Sequence, residues 1–208
     1  MKEKLYKTLR NFLSTSRYDK PHGILLLYFP CIWGLLINDN NITDVIFLCM
    51  LFLLGSCGMR ALGCIWNDIN DVDIDQKVLR TKNRMIVSKK VTKFEILTFS
   101  FVNLSIGVIP LFYISDRAVV VAFLVVPLIV SYPFMKRITW WPQFWLGLNF
   151  NWGLFVGFAS VTDNYFSIYI FTFYLGCIAW TIAYDTVYGF QDILDDELIG
   201  VKSTSIKF

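Results

Sequence analysis

Residues 45–75 read VIFLCMLFLLGSCGMRALGCIWNDINDVDID, and the reading of this stretch decides the fold. From Val45 to Trp66 it is apolar apart from Ser56 and Arg60. At 1.5 Å per residue that run is long enough to cross a hydrocarbon layer of about 30 Å. Directly beyond it Asp68, Asp71, Asp73 and Asp75 crowd together. An ionised aspartate at membrane depth costs on the order of 3 kcal/mol on insertion scales, so a cluster abutting a span needs compensation. Asp71 and Asp75 are four apart, a spacing that places both on one face of a helix, where like charges repel. A hard divalent cation relieves that repulsion, and Mg²⁺ prefers carboxylate oxygens, with phosphate oxygens completing its octahedron.

Outward from this stretch the same solvent is implied. The 208 residues are 56% hydrophobic with a mean hydropathy of +0.54, more apolar surface than one soluble core of that length needs. Six spans are read, at 21–37, 45–66, 95–114, 118–133, 143–161 and 165–184. Lys and Arg concentrate before the first span, between the second and third, after the fourth and after the sixth. The alternate loops at 38–44, 115–117 and 162–164 hold only Arg117. The positive-inside rule then puts both termini and both basic loops on the cytoplasmic or matrix side. A net charge of +3 gives no reason to expect nucleic acid, and no protein partner is implied.

A second acidic group, Asp185, Asp192, Asp195, Asp196 and Glu197, follows the sixth span on the same expected side. Asp192 and Asp196 repeat the four-residue spacing, so the two clusters are expected to face each other across a cavity between helices. Arg80, Lys82 and Arg84 follow the first cluster, and Lys136 and Arg137 occupy the other basic loop. Cations beside metal-binding carboxylates point to an anionic ligand such as a diphosphate, which bridges metals and accepts hydrogen bonds from Arg and Lys. Arg60, inside its span, needs a partner of its own.

The remaining reactive residues give bland readings. The five cysteines all fall within spans, without metal-ligand spacing, and read as packing residues. His22 has no second ligand at a useful spacing. Residues 1–20 lack the apolar core of a removable signal peptide. Leu5, Leu9, Phe12 and Leu13 share one helical face with Lys4, Lys7 and Arg10 around it, as in a helix lying on a membrane surface. Residues 21–208 are read as one transmembrane domain.

The stretch from Arg60 through Asn67, Asp68, Asp71 and Asp75 to Arg80, Lys82 and Arg84 resembles the NDxxDxxxD motif, with its trailing basic run, of the UbiA superfamily of intramembrane prenyltransferases. The run Asp185, Tyr188, Asp192, Asp195, Asp196, followed by Lys202, Ser203 and Thr204, resembles that family's second aspartate motif. Asp19-Lys20-Pro21-His22-Gly23 leading to Pro30 and Trp33, and Tyr132-Pro133-Phe134-Met135-Lys136-Arg137 leading to Trp141-Pro142-Gln143, resemble the 4-hydroxybenzoate branch. His22 stands where that branch carries an aliphatic residue, and Met85 where it carries proline.

The resemblance implies an all-α bundle of about nine transmembrane helices around a cavity. With six spans read before Phe208, the expectation is a chain that stops short of the last three, as a fragment, a truncated product or an inactive relative. It implies transfer of a polyprenyl group from a polyprenyl diphosphate to the ring of 4-hydroxybenzoate, an early step of ubiquinone synthesis, in the presence of Mg²⁺ and membrane lipid. Asn67, Asp68, Asp71, Asp75, Asp192 and Asp196 would hold the metal. Arg80, Lys82, Arg84 and Lys136 would hold the diphosphate, and Arg60 the carboxylate of the acceptor. Asp71, Asp75, Asp192 and Asp196 carry the catalytic assignment, while Asp185, Tyr188, Asp195 and Lys202 complete the second motif. The expected location is a bacterial inner membrane in preference to a mitochondrial one. Two rivals remain: another acceptor, such as a naphthoate, haem, chlorophyllide or glycerol phosphate, and a membrane cation transporter, whose site would not call for Arg and Lys beside its carboxylates.

Overall fold

The apolar runs fold as helices, and no strand occurs among the described residues. The structure is a computed structural model and describes residues 2–37 and 41–208. Asn38, Asp39 and Asn40, part of the first expected loop, lie outside the described residues. The helices are α1 (Lys2–Thr15), α2 (His22–Leu35), α3 (Ile42–Asn70), α4 (Val72–Asp75), α5 (Lys93–Val108), α6 (Asp116–Leu124), α7 (Val126–Ile138), α8 (Pro142–Asn151), α9 (Gly153–Val161), α10 (Ile168–Gly189), α11 (Ile193–Ile199) and α12 (Thr204–Lys207). Local chemistry starts several of them. Asn41 caps α3 by accepting from the Thr43 amide at 3.2 Å, and Thr92 with Glu95 forms a reciprocal capping box on α5. Pro142 opens α8, where a missing N–H costs nothing.

Among the described residues five helical segments are long and apolar enough to cross a membrane: Ile42–Asn70, Lys93–Phe112, Asp116–Ile138, Pro142–Val161 and Ile168–Ile199. The first expected span differs. Its apolar helix α2 has 14 residues, about 21 Å at the α-helical rise, and carries Pro30 in its interior. Two of the longer segments are also broken, at Val125 between α6 and α7 and at Trp152 between α8 and α9.

Helices that share lipid as a solvent gain little from hydrophobicity alone and associate through small residues and polar contacts. Glycines mark the closest approaches. Against α2, a methyl group on Gly157 of α9 would collide with the Cys31 carbonyl, and one on Gly34 of α2 with the Leu154 carbonyl. Between α3 and α5, Gly58 leaves room for the Asn103 carbonyl. Buried amides add specific bonds: Asn151 donates to the Thr181 hydroxyl at 2.9 Å, joining α8 to α10. The core formed by Val121, Leu154, Phe155, Ala159 and Ile170 lies between α6, α9 and α10.

Contacts at the two ends match the charge asymmetry. Arg137 donates to the Asn70 carbonyl at 2.6 Å and the Lys202 amide to the Lys136 carbonyl at 2.8 Å, so both basic loops and the final residues share one end. At the other, Arg117 pairs with Asp163 at 2.8 Å. The apolar face of α1 is not exposed along its whole length. Leu5, Leu9 and Leu13 of α1 are exposed, but Phe12 packs edge-on against Phe99 of α5 at 5.3 Å.

Candidate functional site

The site grows from the C-terminal end of α3. The helix stops at Asn70, and α4 restarts at Val72, so Asp68 on the last turn of α3, Asp71 at the junction and Asp75 at the end of α4 all turn inward. They are 3%, 1% and 5% exposed, whereas Asp73 points to solvent. Burial of three carboxylates demands cations, and four arrive from three places along the chain. Asp68 Oδ1 pairs with Arg17 and, at 3.1 Å, with Arg84. Arg84 also reaches Asp75 Oδ2 at 2.5 Å. Asp71 faces Lys136 at 2.7 Å and Arg137 at 3.6 Å, both from the end of α7. Neither Asp71 oxygen gains a hydrogen bond of good geometry from these cations, and burial pushes its carboxyl above the ordinary aspartate range in spite of Lys136.

The second cluster sits opposite, at the end of α10 and in α11. Arg80 crosses to it with a bidentate grip on Asp192, Nη2 to Oδ2 at 2.5 Å and Nε at 3.0 Å to both oxygens. That bond raises the guanidinium pKa above its usual value. The Arg80 guanidinium also lies over the Tyr188 ring, 5.6 Å from its centre. Asp196 receives no side-chain hydrogen bond or ion pair among the described residues. Asp195 instead accepts from the Leu79 amide at 2.8 Å and so ties the two motif loops together. Lys202 donates to the Ile138 carbonyl at 3.1 Å.

Two cavities meet between these clusters. A polar one of about 240 Å³ is bounded by Asp71, Asp75, Lys136, Asp192, Asp196 and Lys202. A larger one of about 860 Å³, mostly apolar, runs along α2, α3, α5 and α7 as far as Pro110 and Ile114. Asn67, Arg80, Arg84, Tyr132, Asp185 and Tyr188 line both and form the wall between them. Arg60 stands in the larger cavity. It rests against Gly23, where a β-carbon would come within 2.5 Å of its Nε. Its Nη1 donates to Cys64 Sγ at 2.7 Å, and its guanidinium covers the Phe150 ring at 5.4 Å. Among the described residues no carboxylate lies within ion-pair distance of it.

The structure thus brings together every expected site residue except two: Lys82 is exposed and lines neither cavity, and Asp195 serves the loop contact. Asp68 belongs to the site, but two guanidiniums already share its Oδ1. The sequence assigns no role to Arg17 or Tyr132, which both line the larger cavity. Arg17 appears in the sequence only as one more flanking basic residue, while Tyr132 lies in the quoted Tyr132–Arg137 run and was readable as a motif residue. Among the described residues no three of the His, Cys, Asp and Glu side chains already enclose a metal-sized space. The donors nonetheless suit Mg²⁺, which binds through one or two carboxylates with phosphate oxygens and water. The imperfectly satisfied oxygens of buried Asp71 are the observation that favours such a fit.

Comparison with known proteins follows the same lines. Residues 27–208 match the UbiA prenyltransferase family. The chain is 37% identical over 207 residues to the mitochondrial 4-hydroxybenzoate polyprenyltransferase of Drosophila pseudoobscura pseudoobscura, covering 99% of this chain and 52% of that protein. It is 37% identical over 204 residues to the human enzyme of the same name, covering 97% and 55%. The chain spans about half the length of the curated relatives it matches. Its fold superposes with a TM-score of 0.71 on a UbiA homolog from Archaeoglobus fulgidus solved bound to DMAPP and Mg²⁺, at 16% identity, covering 95% of this chain and 69% of that one. The expected bacterial inner membrane is corrected by these relatives, which are named as mitochondrial. The reason is physical: Lys and Arg asymmetry reports sidedness, and a bacterial cytoplasm and a mitochondrial matrix are the same side. With the family matched from Tyr28's neighbour Leu27 to Phe208 and both aspartate motifs facing one cavity, the chain belongs to the UbiA prenyltransferase family.

Proposed function

We propose that this chain transfers a polyprenyl group from a polyprenyl diphosphate to the ring of 4-hydroxybenzoate, in the mitochondrial inner membrane, with Mg²⁺ as cofactor. The observation that carries this reading is the shared wall: a polar pocket between two carboxylate clusters opens into a long apolar cavity that holds one arginine, Arg60, with no carboxylate partner among the described residues. The names of the relatives support the acceptor and donor.

Asn67, Asp71, Asp75, Asp192 and Asp196 would hold Mg²⁺, which when bound would neutralise the diphosphate and stabilise charge developing on the leaving oxygen. Arg80, Arg84 and Lys136 line the polar pocket and would donate to the diphosphate oxygens. The prenyl chain would lie in the apolar cavity, whose walls keep water from the allylic carbon. Arg60 would take the acceptor carboxylate with a two-pronged hydrogen bond, turning the phenol ring toward the shared wall. A cation transporter fits less well, since Asp68, Asp71, Asp75 and Asp192 are already paired with Arg and Lys.

The test is direct. Membranes containing the chain are incubated with labelled 4-hydroxybenzoate and a prenyl diphosphate, with Mg²⁺ or with excess EDTA. Label passing into a lipid-extractable product only with Mg²⁺ is expected. Product from a neutral phenol but not from 4-hydroxybenzoate would reject the acceptor.

A further inference from the structure

Arg17 occupies an unusual backbone position. Helix α1 ends in a Schellman motif: the Tyr18 amide donates to the Leu13 carbonyl at 3.0 Å and the Arg17 amide to the Ser14 carbonyl at 3.3 Å, with Arg17 at φ 55°. Glycine ordinarily fills this left-handed position, because a β-carbon there is strained. The neighbours hold it in place. Asn103, fully buried in α5, donates to the Ser16 hydroxyl at 2.8 Å and accepts from the Tyr18 hydroxyl at 2.7 Å. Strained residues persist where their surroundings over-determine them, and they gather at functional sites. Here the strain delivers a side chain. The guanidinium passes from the end of α1 into the wall of the larger cavity and pairs with Asp68.

The charge balance at that point is close. Asp68 and Asp75, both buried, share Arg84 between them at 3.1 and 2.5 Å, and Arg17 supplies the second cation. Without Arg17, one guanidinium would face two buried carboxylates. An uncompensated negative charge would then stand beside Arg84, in the wall that both cavities share. A diphosphate brought to that wall would meet repulsion, and Arg84 would be drawn toward Asp68 and away from the pocket.

We propose that Arg17 is a positioning residue of the diphosphate site: acting through Asp68, it frees Arg84 to serve the anionic ligand, and the Ser16–Tyr18 latch on Asn103 fixes it there. This rests on the function proposed above. Arg17→Gly is the informative variant, since glycine relieves the backbone strain and so favours folding while removing the side chain. Geranyl diphosphate binding to the purified chain in Mg²⁺ is measured by calorimetry. Arg17→Gly is expected to weaken it about tenfold, the scale of one charge-assisted hydrogen bond. Adding Asp68→Asn in the same chain should restore affinity to within about threefold of wild type, because the surplus charge is gone. Arg17→Lys should stay near wild type.

A purely structural anchor gives a different pattern: a lower melting temperature, unchanged affinity and no rescue by Asp68→Asn. That pattern overturns the inference. If wild type itself binds no geranyl diphosphate, the proposed function fails and this inference with it; if wild type binds and Arg17→Gly binds equally, the inference alone falls. Should Arg17→Gly fail to fold, Arg17→Lys and Arg17→Gln make the same comparison, and equal affinities in that pair overturn the inference.

Discussion

The two aspartate clusters look alike in the sequence and differ in the folded chain. In the first, Asp68, Asp71 and Asp75 are almost completely buried and meet Arg17, Arg84, Lys136 and Arg137. In the second, Asp192 and Asp196 are less completely buried, and among the described residues a single guanidinium, Arg80, grips Asp192 while Asp196 has no ion pair. One side of the pocket is neutralised in advance; the other keeps surplus negative charge. A buried charge must be matched within the fold or the fold suffers, while a half-buried one tolerates waiting for an incoming cation. On the proposed function the asymmetry would divide the labour: the first cluster would hold basic residues ready for an anion, and the second would offer spare capacity for a metal.

The strongest test of that division replaces one aspartate from each side. Asp71→Asn and Asp192→Asn should each lower turnover by two or more orders of magnitude, the scale of about 3 kcal/mol seen for electrostatic stabilisers. Their stabilities should part. Burial raises the Asp71 carboxyl pKa, so its ionised form opposes folding. As a carboxyl with a raised folded value, it favours stability at low pH, and that contribution is lost as pH rises from the ordinary aspartate value through the raised one. Asp71→Asn should accordingly melt no lower than wild type at neutral pH, with the difference in its favour growing across that window. Melting curves in detergent between pH 4 and 8 check this, and an Asp71→Asn chain that loses stability as pH rises would break the comparison.

Metal dependence sharpens it next. Asp68 already receives two guanidiniums, and among the described residues Asp196 receives none. Asp196→Asn should raise the Mg²⁺ concentration for half-maximal activity about tenfold, whereas Asp68→Asn should shift it by less than about threefold. Titration of Mg²⁺ after EDTA treatment reads both. The reverse order would mean that the first cluster, not the second, is the metal's entry.

Arg60 lies outside both clusters, and its test asks whether the large cavity acts apart from the polar one. Arg60→Ala should raise KM for 4-hydroxybenzoate about tenfold to a hundredfold, matching the roughly 1.5–3 kcal/mol of a hydrogen bond to a charged group. KM for the prenyl diphosphate should hold nearly constant, and a neutral phenol acceptor should lose much less. A rise in the diphosphate KM instead would assign Arg60 to the polar pocket.

The sequence makes some of this legible and hides the rest for identifiable reasons. Four-residue spacing of acids beside apolar runs is a local signal, and so is the alternation of basic loops; both survive into the structure as the facing clusters and the grouping of loops at one end. Pairings across the chain carry no local signal. Nothing near Arg17 indicates Asp68, 51 residues away, and nothing near Arg80 indicates Asp192, 112 residues away. Phe12 reads as one of an exposed apolar face because helical periodicity cannot tell lipid from Phe99. The shortness of α2 is hidden likewise, since hydropathy continues through Ile37 after the helix has ended at Leu35.

Asp195 should give the smallest effect, and it is where the division within the second cluster is most exposed to contradiction. By sequence it is the neighbour of Asp196 and part of the same acidic run. In the structure its carboxylate turns away from the pocket and accepts from the Leu79 amide at 2.8 Å, while Asp196 lines the polar cavity. Asp195→Ala removes one hydrogen bond to a backbone group whose residue is 68% exposed, so water replaces the lost acceptor. The cost to stability should be about 0.5–1.5 kcal/mol, and turnover should remain within about threefold of wild type. Asp196→Ala, made in parallel, should lose turnover strongly with little change in melting temperature. If Asp195→Ala proves as inactive as Asp196→Ala while the chain still melts normally, then the contact to Leu79 sets the register of the two motif loops so tightly that the pocket depends on it, and the separation between tie and ligand within the second cluster is wrong.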